Sequence, residues 1–142
     1  MKIKIITTFV LCLIIVGIYS CSSSNTPSKT YTDYEFIFTD STGVDTVAFG
    51  VLHLGSLQPK TSGYFEIYKK INWFFLKDSD SSKCEGTYDS VKKSIWLNMN
   101  PKLADNNVFI TASFINNKLE GDWIHSTMKG IKDKGKFYAE KK

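Results

Sequence analysis

Residues 107–126 read NVFITASFINNKLEGDWIHS, and this stretch decides the fold class. In its first arm Val108, Ile110, Ala112 and Phe114 recur at every second position, with Thr111 and Ser113 between them. A repeat of two places side chains on alternate faces of a strand, whereas a helix would repeat near 3.6. Asn116-Asn117 stands at the break, and asparagine tolerates the left-handed backbone that a two-residue hairpin turn demands at both central positions. The return arm sets Leu119, Gly121, Trp123 and His125 on one face and Lys118, Glu120 and Asp122 on the other. One face is therefore apolar and the other wet.

The same pattern extends outward from this hairpin. Cys84, Gly86 and Tyr88 share one phase, Ile95, Leu97 and Met99 continue it after a lysine-rich turn, and Gly135, Phe137 and Ala139 repeat it near the end. Gly86, Gly121 and Gly135 are each followed two positions later by a large ring, Tyr88, Trp123 or Phe137. This weak repeat predicts crowded curvature in which glycine leaves room for a close neighbour. Upstream, Tyr34, Phe36 and Phe38 alternate with Glu35 and Ile37, and Phe65 and Ile67 alternate with Tyr64, Glu66 and Tyr68. Residues 47–54 are apolar on both phases until His53, and residues 73–76 are four large apolar residues in succession, so both segments need cover on two sides.

In all, about eight or nine strands are predicted with no amphipathic helix, which reads as an antiparallel meander closed into a small barrel or, alternatively, a compact β-sandwich. Closure removes the edge strands that would otherwise offer unpaired backbone groups to other chains. One strand is expected over residues 94–100, and residues 128–134 are expected to lead into the last one. The hairpin rhythm and the glycine-x-aromatic pattern resemble the small lipocalin-like, or calycin-like, barrels of bacterial lipoproteins. Gly121-Asp122-Trp123 lies near the last strands, while lipocalins carry a comparable motif near the first, so their ligand logic does not transfer.

The N-terminus carries a separate message. Lys2 and Lys4 precede an apolar run over residues 5–18 that is short for a membrane span and suits a secretory signal. Ile18-Tyr19-Ser20-Cys21 resembles the lipobox of bacterial lipoprotein precursors, with an aliphatic residue three places before the cysteine and a small one just before it. Tyr19 is bulkier than the residue usual at its position. The resemblance implies cleavage before Cys21, diacylation of its sulfur, and a chain held on the cell-envelope membrane by lipid, the outer membrane where the organism has one. Residues 22–29 contain nothing apolar to pack and read as a tether. The expected organisation is thus a signal over 1–20, a lipidated Cys21 with its tether over 21–30, and a barrel over 31–142.

Charge and chemistry narrow the function. Loss of Lys2 and Lys4 with the signal leaves 16 of the 18 lysines against all 14 acids, a side-chain balance of +2. There is no arginine to make bidentate contacts to bases or phosphates, so nucleic acid is not an expected partner. Of three cysteines, Cys12 lies in the signal and Cys21 is the lipid site, which leaves Cys84 as a buried thiol, an intermolecular bridge or a nucleophile. His53 and His125 lack partners at metal-ligand spacing, and neither serine nearby has a nucleophile elbow. Asp78-Ser79-Asp80 resembles the start of a calcium loop, but Lys83 stands where glycine is needed and Asp89 where a bidentate glutamate should close the shell. No catalytic residue, metal or cofactor is predicted.

Two readings remain. A barrel binding a small apolar or amphipathic ligand would line its interior with Phe65, Tyr88, Trp123 and Phe137. A filled barrel acting as a structural or interaction module, the favoured reading for so short a chain, would meet an envelope partner through Tyr64, Tyr68, Trp96 and Tyr138. Trp96 lies opposite Ile95, Leu97 and Met99, so it is expected either under residues 31–38 or 101–106, the favoured case, or left for a partner.

Overall fold

The computed structural model describes residues 30–71, 76 and 82–142. The signal, Cys21, the tether, residues 73–75 and the Asp78-Ser79-Asp80 run lie outside the described residues. Among those described there are eight strands: β1 Thr32–Thr39, β2 Thr46–Leu54, β3 Thr61–Lys70, β4 Ser82–Asp89, β5 Ser94–Asn98, β6 Asn106–Ile115, β7 Lys118–Thr127 and β8 Gly130–Lys141. Each pairs antiparallel with the next, and β8 returns to β1 in a register running from Tyr34↔Lys141 to Phe38↔Phe137. That last pairing makes a closed barrel and rules out an open sandwich.

The hairpin at residues 107–126 forms as its sequence dictates. Asn116 and Asn117 have φ of 49° and 66°, and Ile115 pairs directly with Lys118 across them. Trp123 then falls opposite Ile110 on β6 and Gly135 on β8. A Cβ on Gly135 would lie 1.9 Å from the Thr39 carbonyl oxygen and 2.7 Å from the indole nitrogen of Trp123, while one on Gly121 would lie 2.9 Å from the Ala112 Cβ. Glycine here is a matter of room, because the barrel coils its strands too tightly to admit another atom.

Two boundaries differ from expectation. β5 ends at Asn98, not Asn100, because the Asn98 Oδ1 accepts the Asn100 N–H at 2.8 Å and turns the chain out of the ladder. β8 begins at Gly130, so most of the expected lead-in at 128–134 is already paired with β7, through a bulge between His125 and Ser126. In β2 the apolar residues serve two faces: Ala48, Leu52 and Leu54 point inward opposite Phe38, Tyr34 and Thr32, while Val51 is covered on the outer phase between Glu35 and Glu66.

The interior follows from the alternation. Phe36, Phe38, Leu52, Phe65, Ile95, Leu97, Met99, Ile110, Leu119, Trp123 and Phe137 are all at most 1 % exposed. Leu76, the described residue of the apolar run at 73–76, is fully buried with them. At roughly 1.5–3 kcal/mol for each large side chain buried, this inner face is the dominant stabilising surface of the domain.

Candidate functional site

The inner rings divide into two groups along the barrel. Trp123 and Phe137 meet around β1: Phe38 lies 5.8 Å from Trp123 and 5.5 Å from Phe137, and Phe36 lies 6.3 Å from Phe137, all tilted rather than face to face. The indole N–H of Trp123 donates to the Thr39 carbonyl at 2.8 Å, so the polar atom of this buried ring is satisfied. Phe65 is also buried, at 1 % exposure. Tyr88 stands apart from Trp123 and Phe137, edge-on to Phe114 at 5.7 Å, with Phe114 in turn 6.4 Å from Tyr34. Burial, and then the nearby Tyr88, push the Tyr34 phenol above its ordinary pKa. Phe65, Trp123 and Phe137 are thus core residues, and Tyr88 packs against the same core within a ring cluster that includes Tyr34 and Phe114.

The outer rings occupy separate parts of the wall. On β8, β1 and β2, Tyr138, Ile37 and Phe49 stand in one row of the register, exposed to 41, 44 and 38 %, and Tyr68 of β3 meets Phe49 edge-on at 6.4 Å while remaining 59 % exposed. A groove of about 570 Å³ runs beside Ile37, Phe49 and Tyr68 of this row and is bordered by Glu35, Thr46 and Lys69. Trp96 lies on another part of the wall, stacked on Phe109 at 5.5 Å and 40 % exposed. The expectation that residues 31–38 cover it is wrong, because closure in sequence order places β1 four strands away from β5. Pro101 lines the same shallow depression as Trp96 without burying it. Tyr64 is half-buried, stacked on the His53 ring at 4.2 Å with Tyr31 at its edge.

Ile37 and Phe49 were not singled out in the sequence, although they join Tyr138 to Tyr68. Their signal was present but ambiguous, since an apolar residue on the second phase of a strand reads equally as covered or exposed.

The titratable side chains are engaged locally. His53 Nδ1 and Asp33 Oδ1 are 2.7 Å apart, with Glu66 at 3.8 Å from the other ring nitrogen. His125 is buried on the inner face with its Nε2 at 2.6 Å from Asn106 Oδ1; burial, and secondarily Lys132, lower its pKa against an opposing effect of Asp133. Cys84 is fully buried, and desolvation pushes its thiol up to about 12, so it sits as a protonated core residue. Asp89 accepts the N–H groups of Val91 and Lys92, both at 3.0 Å, and thus closes its own turn. Among the described residues no three His, Cys, Asp or Glu side chains come together as metal ligands would.

No protein-family model, curated protein or solved structure matches this chain. What the molecule offers for a functional reading is thus its own geometry: packed rings inside, and an exposed aromatic row with a groove on the β8–β1–β2–β3 wall.

Proposed function

We propose that this protein is a membrane-anchored lipoprotein of the bacterial cell envelope, and that its lipocalin-like barrel is a non-catalytic interaction domain. The observation that carries the reading is the Tyr138–Ile37–Phe49–Tyr68 row, a continuous apolar strip across four strands beside a groove. A contiguous exposed patch of this kind marks a contact surface more often than scattered single residues do, and tyrosine and phenylalanine anchor such contacts through their area and low side-chain entropy. Glu35, Lys69 and Glu140 border it as a charged rim. The non-catalytic part of the reading is supported by a cysteine held neutral in the core and by histidines committed to Asp33 and Asn106. Anchoring is supported by the lipobox resemblance at Cys21.

The test uses chain extracted from membranes in mild detergent. Intact mass is expected to show loss of residues 1–20 and gain of acyl mass, with the gain abolished by Cys21→Ala. Native sizing of the same extract is expected to show a complex larger than the monomer, lost in Tyr68→Ser/Tyr138→Ser while thermal unfolding is unchanged. A bare monomer in the unmodified extract, or a complex that survives the double substitution, refutes the interaction reading.

A further inference from the structure

The wall that carries Trp96 has a chemistry of its own. Of the eight described strands, β5 and β6 alone contain no Asp, Glu, Lys or His. Thr87 and Thr111 flank Trp96 across the register, and Ser94 and Asn98 stand two residues away along β5. The aromatic ring is thus surrounded by hydroxyls and an amide. The Tyr138–Tyr68 strip differs, because its neighbours two residues along the strands are Glu35, Glu66, Glu140 and Lys136.

Trp96 also forms one side of a depression. Its indole lies on Phe109 of β6, with the rings 5.5 Å apart and 19° from parallel, so Phe109 backs the ring and fixes its plane. On the side toward β4 and β3, a depression of about 600 Å³ is lined by Trp96 with Lys60, Ser62, Glu85, Thr87 and Asn98. That volume is in the range of small-molecule sites. The Asn98 Oδ1 accepts the Asn100 N–H at 2.8 Å, which fixes the amide and leaves its NH2 as a donor. Among the described residues, the Trp96 indole N–H, the Thr87 hydroxyl and the Glu85 carboxylate have no hydrogen-bond or ion-pair partner.

We infer that this depression is a saccharide site, in which an uncharged pyranose lays its C–H face on the indole of Trp96 and turns its hydroxyls to Glu85, Thr87 and Asn98. A pyranose is apolar on the face where its C–H groups point and polar around its rim, and the depression has the same division. The flat ring with its electron-rich face takes the C–H groups, and the donors and acceptors stand at its edge. A carboxylate accepts from two neighbouring hydroxyls in charge-assisted bonds, and the amide NH2 donates to a third oxygen. A wholly apolar ligand would cover the Glu85 carboxylate and the Asn98 NH2 without replacing their water. A phosphate or sulfate would bring its charge against Glu85, with Lys60 the one cation among the described lining residues. The site lies on a different wall from the Tyr138–Tyr68 strip and stands or falls apart from the interaction reading above.

Purified full chain, in a detergent without a sugar headgroup, is titrated by calorimetry with cellohexaose, chitohexaose and maltohexaose, three uncharged chains. At least one is expected to bind at millimolar concentration or below, little affected by salt, and to shift the Trp96 indole N–H resonance. Trp96→Ala is expected to weaken that binding by about tenfold or more with the sheet spectrum unchanged, and Glu85→Gln and Asn98→Ala by about threefold to tenfold each. Tyr68→Ser/Tyr138→Ser is expected to leave it intact. No binding of any of the three, full affinity in Trp96→Ala, loss of binding in the tyrosine pair, or tighter binding of an acidic oligogalacturonate than of all three overturns the inference.

Discussion

Trp123 and Trp96 sit on β7 and β5 of one barrel and meet opposite environments. Trp123 points inward, fully buried, with Gly135 opposite it leaving space, Phe38 against its ring and the Thr39 carbonyl taking its N–H. Trp96 points outward between Thr87 and Thr111 in the register, keeps 40 % of its surface, and has Phe109 as its ring neighbour among the described residues. The same side chain therefore acts as packing mass on one face of the sheet and as available contact area on the other. Pleating separates the two roles, and closure makes the separation permanent, because a closed barrel has one inside.

The sharpest break of this comparison is Trp123→Ala. Removing a fully packed ring costs the transfer free energy of its atoms plus the cavity left behind, so about 3–5 kcal/mol is expected from chemical denaturation. A cost near zero would mean that the inner face is not the stabilising one.

A smaller effect tests the inner face through His125, which shares the row of Leu119 and Trp123. Burial lowers its pKa from the ordinary 6.5 in the folded barrel, so the unfolded chain takes up a proton at higher pH than the folded one does. The stability this group contributes is complete above about pH 6.5 and is lost as pH falls below it. Unfolding midpoints measured across that range are expected to drop on the acid side, and His125→Gln is expected to flatten the drop. An unchanged slope in the variant would place the proton uptake elsewhere.

The smallest expected effect is that of Trp96→Ala, about 1 kcal/mol or less, since the ring leaves no cavity and gives up mainly its stack on Phe109. In a variant keeping Trp96 as its only tryptophan, emission is expected to be red-shifted and open to aqueous quenchers. Protected, blue-shifted emission in the monomer would show the ring covered and would bring the two tryptophans together.

Much of the barrel was legible before any coordinates. Alternation at Val108, Ile110 and Ala112 and at Ile95, Leu97 and Met99 marked the buried phase, because an antiparallel strand with one wet face must write its burial into every second residue. The Asn116-Asn117 turn and the crowded glycines were readable for a similar reason: each is a local backbone demand that few residue types meet. The end of β5 was not, since it depends on one amide side chain folding back at Asn98. The early start of β8 was missed because a bulge at His125/Ser126 and a two-residue turn let a charged, weakly alternating segment pair with β7.

The sequence by itself determined the strand class, the inward phase and the tight hairpin, all of which are encoded by neighbours one or two positions apart. Only the tertiary structure decided that β8 closes on β1, that Tyr138, Ile37, Phe49 and Tyr68 join into one strip, and that Trp96 lies on another part of the wall. Those neighbours come from strands far apart in the chain, and their meeting depends on which edges pair and in what register, a choice made by the energy of the whole closed sheet and not by any local stretch.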